Sequence, residues 1–139
     1  MQFGEPYASI FEAFNGKLVG TAKMKHHVVK VLAKMPTDII HFVTTNCWFM
    51  ASMDDAWAFT FTGNDLKNQH LIFLSDDLLS QSSKQINYSI AHEIGHVILG
   101  HRNSTLVKQA KTEIEQQEKE ADDFAKKYVP IPATAHGEY

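Results

Sequence analysis

Between residues 21 and 36 apolar side chains recur every third or fourth position, at Met24, Val28, Val31, Leu32 and Met35, while Lys23, Lys25, Lys30 and Lys34 lie between them. This spacing predicts an amphipathic helix, and Pro36 ends it because proline lacks the N–H that would extend the ladder. A shorter helix is predicted over residues 9–15, with Ser9 and Glu12 as a capping box and Gly16 as its stop. After Pro36 the period changes. Residues 39–45 and 47–52 are rich in β-branched and aromatic side chains and are predicted as strands, with Met53-Asp54-Asp55 as a turn. Trp57, Phe59 and Phe61 alternate with Ala58, Thr60 and Thr62, which predicts a strand with one buried face. Gly63-Asn64-Asp65 marks the next turn, before a short, almost continuously apolar strand over 70–74.

The helical period returns at Ser82, which forms a predicted capping box with Gln85. Ile86, Ile90, Ile94, Val97 and Ile98 then keep helical spacing until Gly100. A second C-terminal helix is predicted from a cap at Thr112 and Glu115, with Ile114, Ala121, Phe124, Ala125 and Tyr128 as its apolar stripe. Pro130 and Pro132 prevent its continuation, so residues 130–139 read as a mobile tail and residues 1–129 as one domain. The expected fold class is α+β, a small mixed β-sheet packed against helices.

Length and composition fit that layout. A chain of 139 residues with 44% hydrophobic and 11% aromatic content is large enough to bury a core in one domain. A formal charge of −3 and no dense basic patch argue against direct nucleic-acid binding. Cys47 is the only cysteine, which excludes an intrachain disulfide and suits a reducing, cytoplasmic setting. The first residues lack the pattern of a signal peptide, and no apolar run reaches the roughly 18 residues a spanning helix needs, so no membrane association is expected.

The candidate chemistry lies on the polar side of the helix after Ser82. His92 and His96, four residues apart, fall on one face about a turn from each other and can grip one metal ion, with Glu93 beside them to act on a metal-bound water. Gly100, one turn further, is expected to leave that face uncrowded for another element. A site of this kind needs a third protein ligand. On the second helix Glu118 falls inside the apolar stripe, where an unpaired carboxylate is costly and a metal is its strongest partner. Asp122, one turn on, is placed to accept the remaining ring N–H of a ligand histidine. Glu120 falls outside the stripe and reads as solvated, with Glu113, Glu115 and Asp123. His26 and His27 read as solvated helix surface, and His41 and His70 as structural strand residues.

The run Tyr88-Ser89-Ile90-Ala91-His92-Glu93-Ile94-Gly95-His96-Val97-Ile98-Leu99-Gly100-His101, followed by Glu118-Lys119-Glu120-Ala121-Asp122, resembles the small gluzincin metallopeptidases. It is similar to the ImmA/IrrE-type proteins and to minimal soluble gluzincins that mirror the catalytic core of membrane peptidases of the HtpX kind. The resemblance covers residues 70–128. It implies a zincin-like core, one zinc ion held by His92, His96 and Glu118, Glu93 as general base, and Asp122 behind the ligands. Leu99 and Arg102 stand where the metzincin pattern has glycine and histidine, so His101 is not assigned to the metal; it reads as a helix-end histidine that favours its charged form.

The implied function is zinc-dependent hydrolysis of peptide bonds in a peptide or protein substrate. The alternative, which the likeness to ImmA/IrrE-type proteins implies, is a zinc-binding regulator that acts on a partner such as a transcriptional repressor. By the same resemblance an edge strand beside the metal holds an extended substrate, with Trp57, Ala58, Phe59 and Thr60 as candidates; ordinary sheet packing explains their pattern equally well. Tyr88, Tyr128, His101 and His136 are candidates to stabilise an oxyanion, Tyr88 being placed away from the metal face. His136 and Glu138 put metal-capable groups on the tail, so the tail reaching a metal, in its own molecule or through self-association, is an expected route to latency.

Overall fold

The computed structural model describes residues 3–52, 58–62, 69–101 and 111–132. In chain order it contains α1 (Tyr7–Ala13), β1 (Leu18–Val19), α2 (Ala22–Ala33), α3 (Thr37–Asn46), β2 (Cys47–Ser52), β3 (Ala58–Thr62), β4 (His70–Ser75), α4 (Asp76–Leu79), α5 (Ser83–Ile98) and α6 (Lys111–Lys126). The expected turns at 53–55 and 63–65, Trp57, and the tail from 133 with His136 and Glu138 lie outside the described residues.

The fold is α+β, with a mixed four-stranded sheet in the order β1-β2-β4-β3. β2 runs parallel to both β1 and β4, pairing Cys47 with His70 at one end and Ser52 with Ser75 at the other. β3 is antiparallel to β4, with Ala58 opposite Leu74 and Thr62 opposite His70, and it borders the described sheet. β4 is thus central, which suits its nearly continuous apolar sequence.

Helices α1, α2 and α5 complete the core with the sheet. Met24, Val28, Val31 and Leu32 of α2 are fully buried, as are Phe49, Ile72, Leu74, Ile86, Ile90 and Ile94. Phe14 meets Phe49 edge to face, with ring centres 5.8 Å apart. Cys47 is buried among them, and burial pushes its thiol up to about 12, so it packs as a small apolar side chain. Thr21 caps α2 by accepting from the Met24 N–H at 3.2 Å. Val129 and Pro132 are also buried, so packing continues past Pro130. Among the described residues no helix is long and apolar enough to cross a membrane.

Several expectations are corrected. Residues 39–45 form not a strand but the body of α3. Pro36, which ends α2, also opens α3 from an extended conformation, and Asp38 in the first turn suits a helix N-terminus. Thr44 satisfies its hydroxyl inside the helix by donating to the Ile40 carbonyl at 2.8 Å, so the β-branched run is accommodated and packing overrides its propensity. His41 therefore lies on an exposed helix surface. α1 begins at Tyr7 with no side-chain cap; Ser9 instead donates to Glu5 Oε2 at 2.7 Å, although Gly16, at φ +86°, does end that segment. His26 and His27 are half-buried: His26 lies against the Phe3 ring, and His27 Nδ1 is 2.7 Å from Asn87 Oδ1, joining α2 to α5. α4 was not expected; its signal is Ser75, which caps it by accepting from the Leu78 N–H at 3.1 Å.

Ile72 is buried at the centre of β4, so Ile72→Ala should lower the unfolding free energy by about 2–5 kcal/mol, read from denaturant titration of the full chain.

Candidate metal centre

Helix α5 is buried on nearly all sides. Ser82 accepts from the Gln85 N–H at 3.2 Å, but the Gln85 amide turns inward and donates to Ser89 at 3.1 Å, so only half of the expected capping box forms. Ile86, Ile90 and Ile94 face the core, while Tyr88, His92 and Glu93 are buried too, because α6 covers the side that carries the chemistry. At its end Gly100 takes φ +70°, and the chain turns back: Gly100 N–H donates to the Val97 carbonyl at 3.2 Å and His101 N–H to the His96 carbonyl at 3.0 Å. This paired closure is the Schellman ending that glycine permits.

Gly95, not Gly100, provides the close approach. A Cβ at Gly95 would lie 3.0 Å from Phe124 Cδ1, whereas one at Gly100 would meet nothing within 4 Å. Phe124 packs there with Gln117, Ala121 and Ala125 as the buried side of α6. α6 already includes Thr112, so it begins before the expected cap. Glu118 is not sunk in the stripe as its spacing suggested: its side chain is 48% exposed, and what sets it apart is the pair of histidines it meets.

Three side chains with ligand atoms converge. His92 Nε2 lies 2.9 Å from Glu118 Oε2, His96 Nε2 lies 3.2 Å from Glu118 Oε1, and the two Nε2 atoms are 3.1 Å apart. Donors at the usual zinc distances in a tetrahedral arrangement stand roughly 3.3 Å from each other, so the spacing and the His₂Glu chemistry both fit a metal ion. His92, His96 and Glu118 are the group that could hold a metal among the described residues.

Asp122 Oδ1 stands 2.8 Å from His92 Nδ1 and also accepts from the Tyr88 hydroxyl at 3.0 Å. Tyr88 is therefore not turned away from the site, as the wheel suggested, but buried one turn before His92 and joined to it through Asp122. Burial, then the charge of Asp122 and the bond to it, pushes the Tyr88 phenol well above its ordinary range. For His92 burial is the largest single influence and disfavours its charge, yet the bonds to Asp122 and Glu118 and the fields of Glu93 and Glu118 outweigh it and push the imidazole up to about 10. For Glu118, too, burial comes first and opposes charge, but contacts with His92 and His96 hold its carboxyl well below the usual range.

His101 and Glu120 belong to this neighbourhood; the sequence reads His101 as a helix-end histidine or oxyanion candidate and Glu120 as a solvated side chain, and misses their link to His96. His96 Nδ1 is 2.9 Å from His101 Nδ1, and His101 Nε2 is 2.7 Å from Glu120 Oε1. Gln116 donates to the other Glu120 oxygen at 3.0 Å, and that bond, followed by the one from His101, keeps the Glu120 carboxyl below its ordinary range. Tyr128 is half-buried against Phe124. Of the expected substrate strand, Ala58, Phe59 and Thr60 lie in β3, which touches α5.

Comparison with known proteins adds one finding. A family model described as Peptidase U49 matches residues 81–135, the segment that carries α5 and α6. The similarity supports a peptidase that acts on peptide or protein substrates. No curated protein and no solved structure matches the chain.

Two outcomes follow from this packing. Gly95→Ala gains up to about 1 kcal/mol of helix propensity but incurs roughly 1–3 kcal/mol of overpacking against Phe124. A net loss of thermal stability is expected, read by calorimetry. In protein stripped of metal, the raised His92 value gives stability that is complete below about pH 6.5 and gone above about 10. The lowered Glu118 value gives stability that is complete above its ordinary value of 4.5 and lost as the pH falls. The midpoint of thermal unfolding should therefore peak between about pH 4.5 and 6.5.

Proposed function

We propose that this chain is a zinc-dependent endopeptidase in which His92, His96 and Glu118 hold the metal and Glu93 is the general base. The observation that carries the reading is the convergence of the three donor atoms, within the segment that resembles a peptidase family. Zinc bound there supplies a Lewis acid that brings the pKa of water towards about 7 and polarises a carbonyl. Glu93, buried on α5 beside His92, takes a proton from the attacking water and passes it to the leaving amine. Asp122 keeps the His92 proton on Nδ1, which leaves Nε2 as the donor to the metal. β3 borders the described sheet and touches α5, which supports its backbone, at Ala58, Phe59 and Thr60, as the place where an extended substrate adds a strand. The lone buried thiol of Cys47 supports a reducing compartment.

The test is cleavage of casein by wild type and Glu93→Ala after the zinc content of both has been measured. Both should hold about one zinc ion, and the variant should lose roughly 10²–10⁴-fold in rate. Equal cleavage by the two would remove Glu93 from the reaction, and absence of zinc from both would remove the metal.

A further inference from the structure

The bonds from His96 through His101 to Glu120 run from the interior outward, the His101 side chain being 7% exposed and that of Glu120 44%. Two ring nitrogens facing each other at hydrogen-bond distance share one proton, so one must donate and the other accept. A neutral His96 that offers Nε2 to a metal carries its proton on Nδ1 and is therefore the donor. His101 Nδ1 then accepts, the proton of His101 sits on Nε2, and Glu120 Oε1 receives it. Every proton along the line is assigned without a charged imidazole.

The backbone reinforces the placement. Where a helix ends as α5 does, the residues occupying the positions of His96 and His101 usually meet through an apolar contact. Here that pair is two histidines, tied once through the backbone at 3.0 Å and again through their rings at 2.9 Å.

We infer that His101, backed by Glu120, is a positioning residue for the metal centre: it accepts the Nδ1–H of His96 and fixes that ring's tautomer and aim. The inference rests on the reading of His96 as a ligand. His101 thereby does for His96 what Asp122 does for His92, and α6 supplies the carboxylate behind both rings as well as a ligand of its own.

Zinc affinity of the full chain, measured by chelator competition, tests this with a readout separate from turnover. His101→Leu should bind zinc about 10–100-fold more weakly than wild type, the range typical for loss of a residue that orients a ligand. His101→Asn should recover most of that loss, because its Oδ1 branches where the histidine Nδ1 stood and can accept the same proton. Glu120→Ala alters a half-exposed side chain and should fold normally, with affinity lower by about 3–10-fold. Nitrogen-15 spectra of the zinc-loaded protein should place the His96 proton on Nδ1 and the His101 proton on Nε2. Affinity of His101→Leu within about twofold of wild type, or no recovery in His101→Asn, would overturn the inference. Should His101→Leu fail to fold, unchanged affinity in Glu120→Ala or a His101 proton on Nδ1 would overturn it equally. A wild type that binds no zinc would instead defeat the metal-centre reading itself, and this inference with it.

Discussion

The site depends on how closely α6 can approach α5. At Gly95 the missing side chain lets the Phe124 ring lie where any Cβ would press against it. This contact sets the distance between the two helices, and Glu118 reaches both histidines from the same helix that carries Phe124. A glycine between two candidate ligand histidines is thus a packing device, and the convergence of donors follows from the seating of an aromatic ring.

The second constraint is electrostatic. Three carboxylates of α6 end on imidazole nitrogens of α5 or of the turn that follows it: Glu118 on His92 and His96, Asp122 on His92, Glu120 on His101. Burial disfavours charge on His92 and on Glu118, and each keeps it because the two face each other at 2.9 Å. Asp122 serves two donors at once, since the Tyr88 hydroxyl and the His92 ring share one oxygen, and this fixes its orientation as well.

Much of this could be read from the sequence because it is local. The helix around His92 is marked by Ser82 at one end and Gly100 at the other; on α6 a wheel puts Asp122 at the edge of the apolar stripe, but puts Glu118 inside it although its side chain is 48% exposed. β2 matches its expected bounds. α3 does not, because Ile39, Ile40, Val43 and Thr44 carry a side-chain type that sheets favour, while their fate was decided by what they pack against. Gly95 gave no signal on its own, since the meaning of its missing side chain depends on Phe124. The link from His101 to Glu120 stayed hidden because the turn at Gly100, and not helical spacing, brings one to the other.

α6 packs chiefly on α5, and the donors proposed to bind metal come from these two helices alone. A metal held as proposed would therefore contribute to holding α6 in place as well as to reactivity. That contribution grows with the free metal concentration relative to its dissociation constant, as for any ligand that binds only the assembled form. None of the proposed donors comes from the sheet, α1 or α2. Under the proposed reading, metal availability would act on α6 as a graded latch.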